Sequence, residues 1–207
     1  MTQNPTFPAV VYVIDDDASV RESLSSLMRA EGLAVEVFNG PQAFLEKTDL
    51  KDFACIVLDV CMPGMDGLTL QERLNERGIS IPIVFITGHG DVPEAVRAMK
   101  AGATDFLRKP FEDFELLQAI SLALSRVENN YYDKLELAEL NERYCNLTPR
   151  EREIILQVAK GKQNKVIALD LGVSESTVKV HRHNVMVKMK LRSVPELTLV
   201  MRRLGKF

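Results

Sequence analysis

Short apolar runs alternate with amphipathic stretches through the first 120 residues. Val, Ile and Phe dominate the apolar runs, as they do in strands that are buried on both faces of a sheet. The five predicted strands are AVVYVI, LAVEVF, ACIVLD, PIVFIT and TDFLRK. Three stretches between them have helical apolar spacing and end near a glycine: SVRESLSSLMRAEG, GLTLQERLNERG and VPEAVRAMKAG. Because crossover helices join parallel strands, this alternation predicts a doubly wound, five-stranded parallel sheet.

A nearly continuous helical pattern follows, from residue 112 to residue 144. Four of its apolar residues are seven positions apart: Leu117, Leu124, Tyr131 and Ala138. The repeat is short and turns polar, so it favours a helix packed partly on its own domain over a stable coiled coil. The last helix of the first domain is therefore predicted to run on as a connector.

A new helix is predicted at LTPRE, where Thr148 has the position of an N-cap and Pro149 that of the first helical residue. Glu151 completes the spacing of a capping box. We therefore place the start of a second domain here. The predicted organisation is an α/β domain over residues 8–125, a helical linker over residues 126–146 and an all-α domain over residues 147–207.

The second domain has the spacing of a helix-turn-helix. The segment NKVIALDLGVSESTVKVHRHNVMVKMK divides into two helices at LGVSES. Ala168 and Gly172 would let these helices cross closely, and Ser174 would cap the second one. The segment SVPELTLVMRRLGKF is typical of a final helix. Three of its apolar residues pack either on a second copy of the chain or on their own domain, and the sequence leaves both open: Leu197, Val200 and Met201.

Charge divides the chain into an acidic body and a basic end. Residues 1–125 hold 10 Lys and Arg against 19 Asp and Glu, a net charge of −9. Residues 148–207 hold 13 against 5, a net charge of +8. A compact basic domain is typical of nucleic-acid binding, although a solvated basic surface would have the same composition.

Apolar stretches and cysteines limit the classes of protein that this chain can be. No stretch approaches the ~20 apolar residues that cross a bilayer, and the amino terminus lacks the pattern of a signal peptide. We therefore expect a cytoplasmic protein with no membrane partner. The three cysteines, Cys55, Cys61 and Cys145, have neither C-x-x-C nor His-paired spacing, so we expect reduced thiols and no zinc site.

Charged and hydroxyl side chains lie where the predicted strands end. Asp15 and Asp16 follow the first strand, Asp59 closes the third, Thr87 closes the fourth and Lys109 follows the fifth. The carboxyl ends of parallel strands share one edge of the sheet, so these side chains should converge. Clustered carboxylates without nitrogen or sulfur ligands favour Mg²⁺. An aspartate that only caps a turn is the alternative, but it would leave the other residues unexplained.

Two sets of motifs carry a resemblance to known families. VIDDD, LDVCMPGMDG, FITGHGD and DFLRKPF resemble the receiver domain of two-component response regulators, which implies a flavodoxin-like fold for residues 8–125. LTPRE, NKVIA and STVKVH resemble the LuxR-type helix-turn-helix of the NarL/FixJ regulators. The resemblance therefore implies a transcription factor that is controlled by phosphorylation, with no enzymatic turnover of its own.

The receiver resemblance implies a role for each residue at the sheet edge. Asp59 would accept a phosphoryl group from a sensor histidine kinase, and Lys109 and the Thr87 hydroxyl would contact its oxygens. Thr87 and Phe106 would form the switch that responds to phosphorylation. The implied Mg²⁺ ligands are Asp15, Asp16, Asp59 and the backbone carbonyl of Cys61.

The helix-turn-helix resemblance implies a DNA-binding surface. Lys179 and His183 would face base edges in the major groove, and Arg182 and Lys165 would lie nearer the phosphates. Ser176 and Thr177 would belong to the same surface. The implied partners are the kinase, double-stranded promoter DNA and a second copy of the phosphorylated chain; RNA polymerase is a further partner that such a regulator can contact.

Two other classes of protein share some of these features. Aspartyl-phosphate hydrolases of the haloacid dehalogenase type place a second Asp two residues after the nucleophile, but this chain has Cys61 there, which favours a switch over an enzyme. A DNA-binding regulator could also use a receiver fold controlled by a protein or small ligand without phosphorylation. The joint presence of Asp59, Thr87 and Lys109 with the acidic pair disfavours that second alternative.

Overall fold

The computed structural model of the chain describes residues 9–88 and 92–207. The chain divides into two compact units, with the division between Asn130 and Tyr131. Two parts of the sequence interpretation lie outside the described residues: Pro8, the first residue of the α/β domain, and residues 89–91, the last three of the FITGHGD motif.

The first unit is built on one five-stranded, fully parallel sheet. The strands are β1 Val10–Ile14, β2 Ala34–Phe38, β3 Ala54–Asp59, β4 Ile83–Thr87 and β5 Asp105–Arg108. Their order, β2-β1-β3-β4-β5, is that of the flavodoxin-like doubly wound fold. Each apolar run contains one strand, so the predicted fold class of this unit is confirmed.

Helices connect the strands and cover both faces of the sheet. They are α1 Ala18–Ala30, α2 Pro41–Leu45, α3 Gly67–Glu76, α4 Val92–Lys100 and α5 Asp113–Cys145. The sequence pattern did not predict α2, because five residues are too few to show a helical period. On β1, Tyr12 and Ile14 face the core under α2 and α3, whereas Val11 and Val13 face the core under α1 and α5.

Helix α5 is continuous over its 33 residues, as the helical pattern predicts. Its buried stripe in the first unit is Leu116, Ala119, Ile120 and Ala123. This stripe is offset from the seven-residue repeat, whose last member, Ala138, is exposed. The helix therefore packs on its own domain there, and Leu140 and Tyr144 near its other end are buried in the core of the second unit.

The second unit is all-helical, as predicted. After the end of α5 it contains α6 Pro149–Ala159, α7 Asn164–Leu171, α8 Glu175–Met189 and α9 Val194–Arg203. Thr148 and Glu151 form the predicted capping box, and Ser174 caps α8. The turn between α7 and α8 is made by Gly172, whose φ of +64° is favoured by glycine. Three apolar residues of α9 are buried in the core of their own domain: Leu197, Val200 and Met201. Of the two packing arrangements that the sequence left open, the structure therefore has the one within the domain.

Candidate functional site

One ammonium group joins two strand-end carboxylates at the edge of the sheet. Lys109 Nζ lies 2.8 Å from Asp15 Oδ2 and 2.8 Å from Asp59 Oδ1. The three residues follow or close β1, β3 and β5, and up to 94 positions separate them in the sequence. Parallel pairing places all three strand ends at one edge, so the topology itself brings these charges together.

Both carboxylates are almost completely removed from solvent. Asp15 is 1% exposed and Asp59 is 5% exposed. Burial raises the pKa of Asp59, although the hydrogen bond from Lys109 opposes this. Burial alone would lower the pKa of Lys109, but its hydrogen bonds to Asp15 and Asp59 outweigh that effect and raise it. The site therefore stabilises positive charge close to a buried carboxylate.

Backbone N–H groups fix the other oxygen of each carboxylate. Cys61 N donates to Asp59 Oδ2 and Asp17 N donates to Asp15 Oδ1, each at 2.8 Å. The turn after β3 is also held by Gly67 N, which donates to Val60 O at 2.9 Å. Each carboxylate oxygen thus accepts one hydrogen bond and keeps a further lone pair for another partner.

The remaining residues at this edge differ in exposure. Asp16 is exposed beside Asp15, and the Thr87 side chain is fully buried at the end of β4. The Thr87 carbonyl accepts a 2.7 Å hydrogen bond from Lys109 N, which ties the ends of β4 and β5 together. Phe106 on β5 is half-buried, and its ring centroid lies 6.1 Å from that of Phe85.

Sequence reasoning missed two residues that shape the turn between β1 and α1. Asp17 accepts a hydrogen bond from Ser19 N at 2.8 Å and is the N-cap of α1. An aspartate directly before a stretch with helical apolar spacing is the sequence signal for such a cap. Arg21 Nη1 donates to Asp15 O at 2.7 Å. No local sequence signal predicts this second contact. Asp66 caps α3 by accepting from Thr69 N, as its position in the MDG turn indicates.

The residues assigned to DNA contacts lie on α7 and within the first nine residues of α8. Lys165, Ser176, Lys179 and His183 are exposed, whereas Thr177 and Arg182 are half-buried. The Thr177 hydroxyl lies 2.8 Å from that of the N-cap Ser174, and Arg182 donates to the Asn164 side chain at the start of α7. Lys179 forms an ion pair with Glu175 at 3.4 Å.

An ion pair between buried Glu151 and exposed Lys188 fixes helix α8 within the second unit. Glu151 Oε2 accepts from Lys188 Nζ at 2.8 Å, and it also accepts from Thr148 N and Oγ1 at 2.8 and 3.1 Å. Burial would raise the pKa of Glu151, but these hydrogen bonds outweigh it and lower the pKa. The capping box at the start of α6 therefore also anchors the last turn of α8.

Comparison with known proteins defines the class of this chain. Residues 11–121 match the family described as response regulator receiver domain, and residues 145–201 match that of bacterial regulatory proteins, luxR family. The chain belongs to the two-component response regulators of the NarL/FixJ family, in which a receiver domain precedes a LuxR-type DNA-binding domain. It is thus a regulator of transcription.

Individual relatives match nearly the whole chain. Response regulator protein TodT of Pseudomonas putida is 48% identical over 196 residues, which are 95% of this chain and 86% of that protein. The structure of response regulator StyR is 45% identical, with a TM-score of 0.78, and the match covers 95% of this chain and 100% of that one. The structure of full-length FixJ from B. japonicum is 42% identical, with a TM-score of 0.60, and the match covers 98% of this chain and 100% of that one.

Among the described residues, no helix combines the length and apolar character needed to span a membrane. Cys55 is buried, Cys61 and Cys145 are exposed, and all three are free thiols. Burial raises the pKa of the Cys55 thiol to about 12, so this residue serves the core as a small apolar side chain.

Proposed function

We propose that Asp59 accepts a phosphoryl group from a phosphohistidine of a sensor histidine kinase. The observation that carries the proposal is the ammonium of Lys109 at 2.8 Å from both Asp15 and Asp59. In the transfer, a P–O bond to an Asp59 oxygen forms while the P–N bond of the donor breaks. The electron pair of the broken bond stays on the imidazole nitrogen, which takes up a proton.

The chain's own side chains would do most of this work by position and charge. Lys109 can follow the charge from the carboxylate to the phosphoryl oxygens, because its ammonium is already within hydrogen-bond distance of Asp59. Cys61 N–H holds one oxygen of Asp59, so the carboxylate cannot rotate freely during attack. Thr87 closes the adjacent strand and is assigned to a phosphoryl oxygen through its hydroxyl.

The donor set at this edge fits Mg²⁺. Within residues 9–88 and 92–207, no group of three or more His, Cys, Asp and Glu side chains is arranged to hold a metal ion. Mg²⁺ keeps several waters and is completed by phosphate oxygens, so its carboxylate ligands need not already be gathered around the position of the ion. We assign its ligands as Asp15, Asp16, Asp59 and the carbonyl of Cys61. When bound, the ion would neutralise charge on the transferring phosphoryl group.

Intact mass spectrometry tests this proposal directly. The full chain is incubated with acetyl phosphate in the presence of MgCl₂, and separately with EDTA. We expect the mass of one phosphoryl group to be added only when Mg²⁺ is present. No addition under either condition would favour the alternative, a regulator controlled by a protein or small ligand. A phosphopeptide without Asp59 would reject the assigned acceptor.

We further propose that the second unit binds double-stranded promoter DNA in the cytoplasm, with α8 in the major groove. Its net charge of +8 over residues 148–207 supports this. Exposed Lys179 and His183 are assigned to base edges, with Ser176, Thr177, Arg182 and Lys165 around them. RNA polymerase is the partner through which a DNA-bound regulator would act on transcription.

Replacing Lys179 by alanine should weaken specific DNA binding. We expect a loss of about 1–3 kcal/mol on the preferred operator, because a lysine on a base edge contributes discrimination of that size. The affinity for random duplex should fall less, and phosphorylation should not change. Fluorescence anisotropy at fixed salt measures both DNA affinities, with an operator selected from a random duplex library.

The matched control is Lys160→Ala, which removes the same charge from the exposed end of α6. Equal losses for the two variants would assign Lys179 to general electrostatic attraction. Equal affinity of the wild type for operator and random DNA would remove the case for base recognition.

Phosphorylation is proposed to act by dimerisation through the face that contains α4. Three apolar residues of α4 are exposed at helical spacing: Val92, Val96 and Met99. Thr87 would move toward the phosphoryl group, and half-buried Phe106 would turn into the space that it leaves. That movement would change the surface formed by α4 and β5, so a second receiver could pair with it.

Replacing Thr87 by alanine should therefore separate phosphorylation from dimerisation. We expect Thr87→Ala to accept the phosphoryl group yet remain a monomer by light scattering, whereas the phosphorylated wild type dimerises. The control is Thr104→Ala, since Thr104 is also buried but precedes β5 at the opposite edge of the sheet. A phosphorylated wild type that stays monomeric, or a Thr87→Ala protein that dimerises normally, contradicts this coupling.

A further inference from the structure

Arg21 makes an unusual contact for a cation beside an acidic site. It lies in the first turn of α1, and its Nη1 donates to the backbone carbonyl of Asp15 at 2.7 Å. Within residues 9–88 and 92–207, no carboxylate lies within ion-pair distance of its guanidinium. The Asp15 side chain is already engaged by Lys109 Nζ and Asp17 N. Lys109 therefore holds the side chain of Asp15, and Arg21 holds its backbone.

The carbonyl that Arg21 holds belongs to the peptide between Asp15 and Asp16. A peptide unit is planar, so fixing the direction of its oxygen also fixes the direction in which the chain enters Asp16. Asp16 is exposed and has little packing of its own to orient it. The hydrogen bond from Arg21 thus constrains the backbone from which the Asp16 carboxylate extends.

We infer that Arg21 is a positioning residue for the Mg²⁺ site, acting through the Asp15–Asp16 peptide. This inference rests on the proposed function, in which both aspartates are Mg²⁺ ligands. Groups that orient metal ligands without touching the metal commonly change affinity by 10–100-fold when they are removed. Arg21 does so from the helix side of the turn, six residues after Asp15.

The loss of Arg21 should change the Mg²⁺ affinity in opposite directions through its charge and through its hydrogen bond. A guanidinium close to a cation site repels the cation, so removing only its charge should tighten Mg²⁺ binding. Removing the hydrogen bond frees the Asp15–Asp16 peptide and should weaken binding. The direction of the change in affinity therefore separates the two effects.

The experiment is an amide NMR titration of the full chain with MgCl₂, without any phosphodonor. We expect Arg21→Met to raise the dissociation constant on the order of tenfold. Arg21→Lys, which keeps the charge and a shorter donor, should fall between Arg21→Met and the wild type. Arg29→Met is the matched control, because it removes an exposed arginine from the last turn of the same helix and should leave the affinity unchanged.

A kinetic measurement adds a second readout. The rate of phosphorylation by acetyl phosphate should need more Mg²⁺ for half-saturation in Arg21→Met, yet approach the wild-type rate when Mg²⁺ is saturating. A merely destabilised variant would instead lower the rate at every Mg²⁺ concentration. Thermal unfolding in EDTA reports the folding of each variant separately.

Tighter or unchanged Mg²⁺ binding in Arg21→Met overturns the inference. If Arg21→Met does not fold, Arg21→Lys serves as the test. Weaker Mg²⁺ binding than in the wild type supports the positioning role, and equal Mg²⁺ binding overturns it. If the wild type binds Mg²⁺ and is phosphorylated, and Arg21→Met has the same Mg²⁺ affinity and phosphorylation rate, only the role of Arg21 is rejected. A wild type that shows no Mg²⁺-induced shifts rejects the proposed metal site and this inference together.

Discussion

Asp59→Asn should abolish phosphorylation by acetyl phosphate and by any cognate kinase. The amide is neutral and cannot act as the anionic nucleophile, although it has nearly the shape of the carboxylate. We expect no gain of a phosphoryl group by intact mass under conditions that fully modify the wild type. Operator binding by the unphosphorylated protein should be unchanged, because the substitution lies in the other compact unit.

The same substitution should not destabilise the fold at neutral pH. Burial raises the pKa of Asp59, which means that folding favours its protonated form. Its contribution to stability is therefore present at low pH and is lost as the pH rises through the folded-state pKa. A neutral asparagine removes that cost, and Lys109 keeps its hydrogen bond to Asp15. Thermal unfolding at pH 7 checks this.

Asp66→Asn is the matched control for Asp59→Asn. Asp66 caps α3 in the same loop, and asparagine is about as good an N-cap as aspartate. This variant should be phosphorylated like the wild type. A phosphoryl group on the residue-59 peptide of Asp59→Asn would remove Asp59 as the acceptor.

The acidic site could be predicted from the sequence because each of its residues can be recognised from its position at the end of an apolar run. Asp59 closes an apolar run and Lys109 follows another, so each position is visible without knowing the fold. Parallel pairing then places strand ends at one edge whatever the order of the strands. That explains why the five strands and the meeting of Asp15, Asp59 and Lys109 follow from the pattern, whereas the order β2-β1-β3-β4-β5 does not.

Contacts that depend on how helices pack were not visible. The local sequence predicts Glu151 as a capping-box residue. Its ion pair with Lys188 joins residues 37 positions apart and forms only because α6 and α8 pack against each other. The hydrogen bond from Arg21 to the Asp15 carbonyl depends on side-chain direction, which no residue pattern encodes. The last helix is similar, because Leu197 has the same apolar character in a core as in a dimer interface.

Gly67→Ala should strongly destabilise the receiver unit and impair its phosphorylation. Gly67 begins α3 directly behind the end of β3, and a Cβ there would lie 2.3 Å from the backbone oxygen of Asp59. Backbone cannot rotate away as a side chain can, so either β3 or α3 must move. We expect a loss of about 3 kcal/mol in the free energy of unfolding, the upper end of the usual cost of overpacking.

Displacing the Asp59 backbone should also change the reaction, since Gly67 N holds the turn through Val60 O. Phosphorylation by acetyl phosphate should be slower in Gly67→Ala even at temperatures where it remains folded. The matched control is Gly40→Ala, because a Cβ at Gly40 meets no atom within 4 Å and its φ of 162° is extended backbone open to any residue. Urea unfolding followed by circular dichroism, together with the phosphorylation rate, measures both effects. Equal unfolding midpoints for the two variants would show that β3 and α3 can separate at little cost, and that Asp59 does not depend on their close approach.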